Sequence, residues 1–512
     1  MNKILQIGSL SKLYSIYGIM KKLIVSLLCI LLLGSVVVGC TTGSGNPAST
    51  TDPKGSTVET SGSDTSVKDG VPEGLKFNGT NIVTSYREDK VDYFVGDVDG
   101  DVMSEALYKA NLAVEERLGI TREFIPLPDE VLTSKIVESI LSDEPYYDYV
   151  SIDQFFGTSY CSEGLYMDLS SLPYINYSEP WYYSAYMETL SIGKGTRFFI
   201  AGDIYPIISS WTQATFWNKT VYGDCVSTDM TSLYKLVEDG GWTFDEMQKM
   251  CTMVYSDLDA DHVVSAGDRV GACNSVYGAD HLAFSMGMQL TSRNEDGYYD
   301  LVADTERNND IVTKINDFFT KNTGYFMWTF DLDPNFTAIK FAADELLFYQ
   351  SAFINIFGKE IRDMKSEFGV IPYPKYDENQ KDYIATVHNA AFFVAIPSNT
   401  PDERLDAIAA TIEAQGYQNW KDYRPVFFEE ALKVKFNRDD ENAEKVGEMI
   451  DLIRKSLSVD FAYIYSNNCS DLGRIAANCI NTGRTLAQSI ASDREKIQAG
   501  LDNLFEAFEN NY

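Results

Sequence analysis

Histidine is the scarcest functional residue in this chain. Only three occur in 512 residues, His262, His281 and His388, and none has a zinc-binding spacing such as H-E-x-x-H. Catalysis that depends on histidine therefore has few candidates. No C-x-x-C pair occurs, which argues against a zinc knuckle or a redox motif. No G-x-S-x-G turn occurs, which weakens an esterase reading. Internal repeats are absent. Basic residues are in short supply too: 42 Lys and Arg stand against 75 Asp and Glu, a formal net charge of −33. Such a chain repels nucleic acid and anionic lipid, which argues against both as partners.

One apolar run does occur near the start. Met20-Lys21-Lys22 supplies a start and a positive flank, and Leu23 to Val38 follows as a segment of roughly sixteen residues, shorter than the ~20 that span a bilayer. It closes as Leu31-Leu32-Leu33-Gly34-Ser35-Val36-Val37-Val38-Gly39-Cys40. A small residue and then a cysteine after an apolar run resembles a bacterial lipobox. That resemblance implies a signal peptide over residues 1–39, cleavage before Cys40 and lipid (palmitate included) on its sulfur. The protein would then sit on the outer face of the cytoplasmic membrane. Residues 1–19 carry no such logic, so Met20 is an alternative start. An uncleaved transmembrane anchor ranks behind, because the residues after Cys40 are polar rather than a basic stop-transfer flank. Residues 40–75, rich in Ser, Thr, Gly and Asp, read as a flexible tether. Residues 1–39 hold Lys3, Lys12, Lys21 and Lys22 and no acid, so the mature form is more acidic still. Attachment would rest on lipid alone, and several acyl chains on one cysteine anchor far better than one.

The remainder is long enough for two large domains, and its 45% hydrophobic content allows real cores. Asn81–Tyr86 reads as a strand, Ser104–Leu118 as an amphipathic helix ended by Gly119, and Ile120–Ile125 as a second strand. Val131, Leu132, Ile136, Val137, Ile140 and Leu141 mark a second helix, and Tyr149–Ile152 a third strand. This β-α-β-α-β order predicts parallel pairing. Thr243–Glu246 and Thr400–Glu403 read as capping boxes, the second with proline at the first helical position. Helices are expected over about 308–321, 443–457 and 483–509, and strands at Arg197–Ala201, Ala214–Trp217, Phe368–Ile371 and Phe392–Ile396.

Five stretches together resemble extracellular solute-binding proteins of ABC importers, of the larger sugar-binding type. They are Tyr147–Val150 with Gly164–Leu169; Pro180–Tyr183 with Gly193-Lys194 and Gly202-Asp203; Phe216–Thr220; Gly241–Met247; and Phe368–Tyr376 with Ala395–Pro397. Trp217 departs from the usual tyrosine. The resemblance implies an α/β, periplasmic-binding-protein-like fold, two α/β lobes joined by crossing hinge strands. Lobe one would hold 76–210 plus about 345–400, and lobe two 211–344 plus about 401–512. It also implies a monomer that captures a ligand, an oligosaccharide rather than a peptide, and passes it to ABC permease subunits. No cofactor is needed and no bond is broken. A secreted glycoside hydrolase and a non-transport sensor are the alternatives.

Flat aromatics suit the apolar faces of sugar rings, and 13% of this chain is aromatic. In doubly wound sheets ligands meet the loops at strand carboxyl ends. Tyr86, Asp153, Trp181, Trp211, Trp328 and Asn389, which follows His388, are the ligand-binding candidates. Each aromatic competes with a plain packing role. Asp257, Asp259, Asp261, the Val263 carbonyl and Asp268 stand at calcium-loop spacing, with His262 where glycine normally turns the chain. A structural Ca²⁺ in lobe two is the expectation, against an acidic surface turn. Asp97–Asp101 looks similar but reads as an acidic loop entering the first helix. Six cysteines remain beyond Cys29 and Cys40. Export permits disulfides, and Cys469–Cys479 or Cys251–Cys273 are candidate pairs.

Overall fold

A computed structural model describes residues 67–432, 436 and 442–510. The signal segment, Cys40 and most of the tether lie outside the described residues. Among the described residues, no helix is long and apolar enough to cross a membrane.

The first alternating stretch folds as its pattern dictates. Strand β1 (Thr80–Arg87) leads to helix α1 (Val102–Leu118), β2 (Ile120–Leu127), helix α2 (Asp129–Ser142) and β3 (Tyr149–Asp153). Asp101 caps α1 by accepting the Met103 and Ser104 N–H groups at 3.1 and 2.9 Å. Gly119 ends α1 at φ 62°, a left-handed conformation that costs glycine little. Both β2 and β3 run parallel to β1.

The second body begins with β4 (Gln213–Asn218), then helix α3 (Phe244–Val254), β5 (Val270–Asn274) and helix α4 (Gly278–Ser285). A small hairpin follows, β6 (Thr291–Arg293) with β7 (Tyr299–Leu301), then helix α5 (Glu306–Lys321) and β8 (Tyr325–Met327). Strands β9 (Leu346–Ala352), β10 (Phe368–Ile371) and β11 (Phe392–Ala395) complete the set. Two larger sheets result, one ordered β11-β3-β1-β2 and one ordered β10-β4-β9-β5-β8.

Strand pairing departs from the expected division of the chain. β9 and β10 both pair with β4, so they belong to the second sheet, and β11 carries the return to the first. β9 is a central strand, buried along almost its whole length, which an unbroken Leu-Leu-Phe-Tyr run suits. The C-terminal share also differs. Helix α6 (Asp402–Gln418) packs on α1 of the first body, while helix α7 (Ala443–Lys455) packs on β10 of the second.

The chain passes between the bodies in three adjacent segments. Thr212 bridges Val387, and Ala385 bridges Leu457. Gln213 N–H donates to Thr386 O at 2.8 Å, and His388 N–H to Trp211 O at 3.1 Å. Helix α8 (Phe461–Ile464), helix α9 (Ile475–Thr482) and helix α10 (Leu486–Asn510) end the chain.

Local details correct other expectations. Residues 197–201 form no strand, only an isolated bridge from Ile200 to Val394. Thr243 does cap α3, accepting the Glu246 N–H. Thr400 does not cap α6, which starts one residue later, with Pro401 at the cap position and no side-chain cap bond. Residues 67–75, the end of the expected tether, are docked: Val71 is buried, Asp69 pairs with Arg117, and Gly70 N–H donates to Glu413 at 3.0 Å. The six described cysteines are free thiols, so neither candidate disulfide forms.

Candidate functional site

A cavity of about 450 Å³ opens beside the crossing segments. Four parts of the chain line it: Ser275 and Tyr277 after β5, with Asp280 and His281 on α4; Trp328 and Phe330 after β8; His388 and Asn389 before β11; and Tyr463 and Arg474 from the C-terminal helices. Two of the four follow the carboxyl ends of the parallel strands β5 and β8, where backbone groups leave the ladder and loops can vary.

Three aromatics form the open wall. Phe330 is 69% exposed and Tyr277 42%, values that a packing role would not leave. Trp328 and Phe330 lie 5.0 Å apart, and Tyr277 and Phe330 6.0 Å apart. The Trp328 backbone is fixed beside β5, its main-chain N–H donating to Asn274 O at 3.1 Å. Flat apolar faces held this way match the C–H faces of a pyranose ring.

Polar groups converge on the inner wall. His281 Nδ1 meets Thr386 Oγ1 at 2.8 Å, and the two histidine rings are 6.1 Å apart. Burial pushes His281 down to about 3 and His388 down to about 4, the latter helped by the charges of Lys90 and Arg474. Both imidazoles are therefore neutral at pH 7. His388 Nδ1 accepts the Ala390 N–H at 3.1 Å, so its proton sits on Nε2. Asp280 accepts the Ala477 N–H at 3.1 Å, and burial lifts its carboxyl to about 7. This mixture of neutral donors, acceptors and aromatic faces suits a polar, uncharged surface such as a sugar's hydroxyl rim.

The sequence-derived candidates separate into three groups. Trp328 and Asn389 line the cavity. Trp211 stands next to it, its ring 5.0 Å from His388 and its Nε1 donating to Tyr93 OH at 2.8 Å. Tyr86 and Trp181 are core: Tyr86 stacks on Phe94 at 4.2 Å, and Trp181 is fully buried with Nε1 donating to Glu413. Asp153 is buried and accepts the Phe155 and Phe156 N–H groups, shaping the turn after β3 and lining a different cavity. Tyr277, Phe330, Tyr463 and Arg474 were missed. Tyr277 follows β5, a strand without a strong sequence pattern, and Phe330 is two residues beyond Trp328. Arg474 lies far beyond Ala395, the end of β11 and of the nearest strand, and no local signal marks it.

The acidic loop is partly as expected. Asp257, Asp259 and Asp261 each bring a carboxylate oxygen within 4.8 Å of the others. His262 adopts φ 64°, the turn that glycine would make at that position. Asp268 does not join them. It is buried, its oxygens taken by the N–H groups of Leu258 at 3.0 Å and Ser265 at 2.8 Å. Val263 is engaged through its N–H, which donates to Asp261 at 2.7 Å. The loop thus closes on itself through the position expected to supply the last ligand.

No family model and no curated sequence matches the chain. Solved structures do. The sugar-binding protein MalE of the phytopathogen Xanthomonas citri is similar at TM-score 0.54 and 11% identity, over 84% of this chain and 100% of that one. A cyclo/maltodextrin-binding protein complexed with maltotetraose is similar at 0.51 and 11%, over 84% and 97%. An ABC substrate-binding protein of Listeria monocytogenes in complex with cycloalternan is similar at 0.50 and 11%, over 84% and 99%. Likeness at this identity shows the fold, and the chain has the periplasmic-binding-protein-like α/β fold of these sugar-binding ABC substrate-binding proteins.

Proposed function

We propose that this protein is a lipid-anchored receptor that captures an oligosaccharide and hands it to an ABC permease. The observation that carries the reading is the aromatic wall of Tyr277, Trp328 and Phe330 in a cavity beside three crossing segments. A ligand touching both bodies there would favour the closed arrangement, which is capture by population shift. The solved structures of like fold include sugar complexes, which supports the choice of ligand class.

Hydrolysis of a glycosidic bond by an acid and a base needs two carboxylates. The cavity lining carries one, Asp280, which favours binding over catalysis. A thermal-shift screen with an oligosaccharide panel, followed by small-angle scattering, tests the proposal. The expected result is a raised melting temperature and a smaller radius with one glycan class. A panel that produces neither effect would overturn it. Anchoring is tested separately: Cys40→Ser should move the protein from the membrane fraction to the medium with ligand binding unchanged.

The carboxylate loop at Asp257, Asp259 and Asp261, which is not part of the cavity lining, would be a structural Ca²⁺ site. Three carboxylate oxygens within 4.8 Å of one another and the left-handed turn at His262 suit a hard cation.

A further inference from the structure

Several half-buried arginines of this fold are held by polar partners. Arg404 grips Asp148 through two nitrogens at 2.8 and 2.6 Å. Arg424 pairs with Asp203 at 3.1 Å, and Arg122 donates to Asn111, Gln415 and Tyr149. Arg474 is different. Its guanidinium lies over the Phe155 ring at 3.6 Å and near the Tyr277 ring at 5.1 Å. Among the described residues it donates to no side chain or carbonyl and pairs with no carboxylate, and it lines the sugar-sized cavity.

Stacking occupies the flat face of a guanidinium. Its N–H donors point outward in the plane of the fork and match the two oxygens of a carboxylate. Phe155 comes from the turn after β3 of the first sheet, and Tyr277 from the loop after β5 of the second. The cation thus lies against rings from both bodies, with no hydrogen bond from its guanidinium among the described residues. The other cation nearby is already engaged: Lys90 pairs with Asp89 at 3.0 Å and lies over the Trp211 ring. In a chain of net charge −33, an arginine of the cavity wall that forms no close ion pair among the described residues, with only the longer-range field of Asp280 acting on it, has donors left for an anionic group of a ligand.

We infer that the ligand of this cavity is an acidic glycan, and that Arg474 reads the carboxylate of a uronate unit. The inference rests on the oligosaccharide-receptor reading and narrows it. Asp280 is the one acid in the lining. Its anchoring to the Ala477 N–H and its raised proton affinity limit its repulsion of such a ligand near neutral pH.

Titration calorimetry on the full chain tests this with matched neutral and uronate-bearing oligosaccharides of equal length, built on galactose, glucose and xylose backbones. The expected result is binding of a uronate member about 10- to 100-fold tighter than its neutral partner, as a charge-assisted bidentate contact provides. Added NaCl should narrow the gap. Arg474→Gln should erase the preference, bringing uronate affinity down to that of the neutral partner, and Arg474→Lys should retain part of it. Tighter or equal binding of the neutral member would overturn the inference and leave the receptor reading standing. Binding of neither class would overturn both, and a variant that unfolds is replaced by Arg474→Lys as the decisive comparison.

Discussion

Two tryptophan-centred regions of this molecule use the same chemistry to opposite ends. Around Trp181 the indole is fully buried, its N–H is satisfied by Glu413, and Tyr417 and Trp420 lie 5.4 and 5.9 Å away. Around Trp328 the neighbouring Phe330 is largely exposed, and Arg474 of the same cavity lining forms no ion pair among the described residues. A satisfied aromatic cluster contributes stability. An unsatisfied one keeps surface in water, at a cost in stability that a ligand can offset.

The largest effect separates the two regions. Trp181→Ala should remove about 3–5 kcal/mol of stability, the range for emptying a buried aromatic site. Denaturant unfolding would show it, and ligand affinity measured below the melting range should stay within about twofold. A loss of affinity as large as the loss of stability would join the regions and break the contrast.

The next effect lies in the pH dependence. Asp280 has a folded pKa of about 7, against ~3.9 for an unfolded aspartate. The folded state therefore binds the proton more tightly, so this group's contribution is fully present below about pH 4 and is lost as pH rises through about 7. Between pH 5 and pH 8 the wild type should lose about 2–3 kcal/mol relative to Asp280→Asn, read from urea midpoints of both proteins at each pH. His281 and His388 slope the other way, because their lowered pKa values withdraw stability as pH falls below ~6.5. Comparing the two proteins at the same pH cancels that slope.

A smaller effect is expected at the open wall. Trp328→Ala should weaken glycan binding by about 2 kcal/mol, some thirtyfold, with a change in stability below about 1 kcal/mol. An unfolding midpoint that moved as far as it does in Trp181→Ala would show Trp328 to be core. The smallest effect belongs to the acidic loop. Millimolar Ca²⁺ should raise the melting temperature by about 2–4 °C over a chelator control, and Asp259→Asn should abolish the rise without touching glycan binding. A chelator with no effect on the wild type would remove calcium from the account.

Much of the first sheet was legible in the chain. β1, β2, β3 and the two helices between them follow from period-2 and period-3.6 patterns and a terminating glycine, all of which act within a few residues. Sheet membership was not legible. β9 and β10 read equally well in either body, because a buried apolar strand specifies that it needs two neighbours and not which ones. The candidate site divides the same way. Trp328 and Trp181 have the same side chain and the same propensity, and only the position of the chain segments around them makes one a cavity wall and the other a core residue. Thr400 shows the limit even for local signals: its capping pattern is present, yet the helix begins after it with Pro401 at the cap.

Local chemistry, acting over one or two turns of chain, was sufficient to determine an α/β polypeptide with a parallel β-α-β-α-β start and a strongly acidic composition. The convergence of Tyr277, Trp328, Asn389 and Arg474 came only with the tertiary structure. Their backbones are brought together by sheet pairings and by three crossing segments whose partners are tens to hundreds of residues apart. Those pairings are stable only when the whole core closes at once, so no stretch of sequence carries them alone.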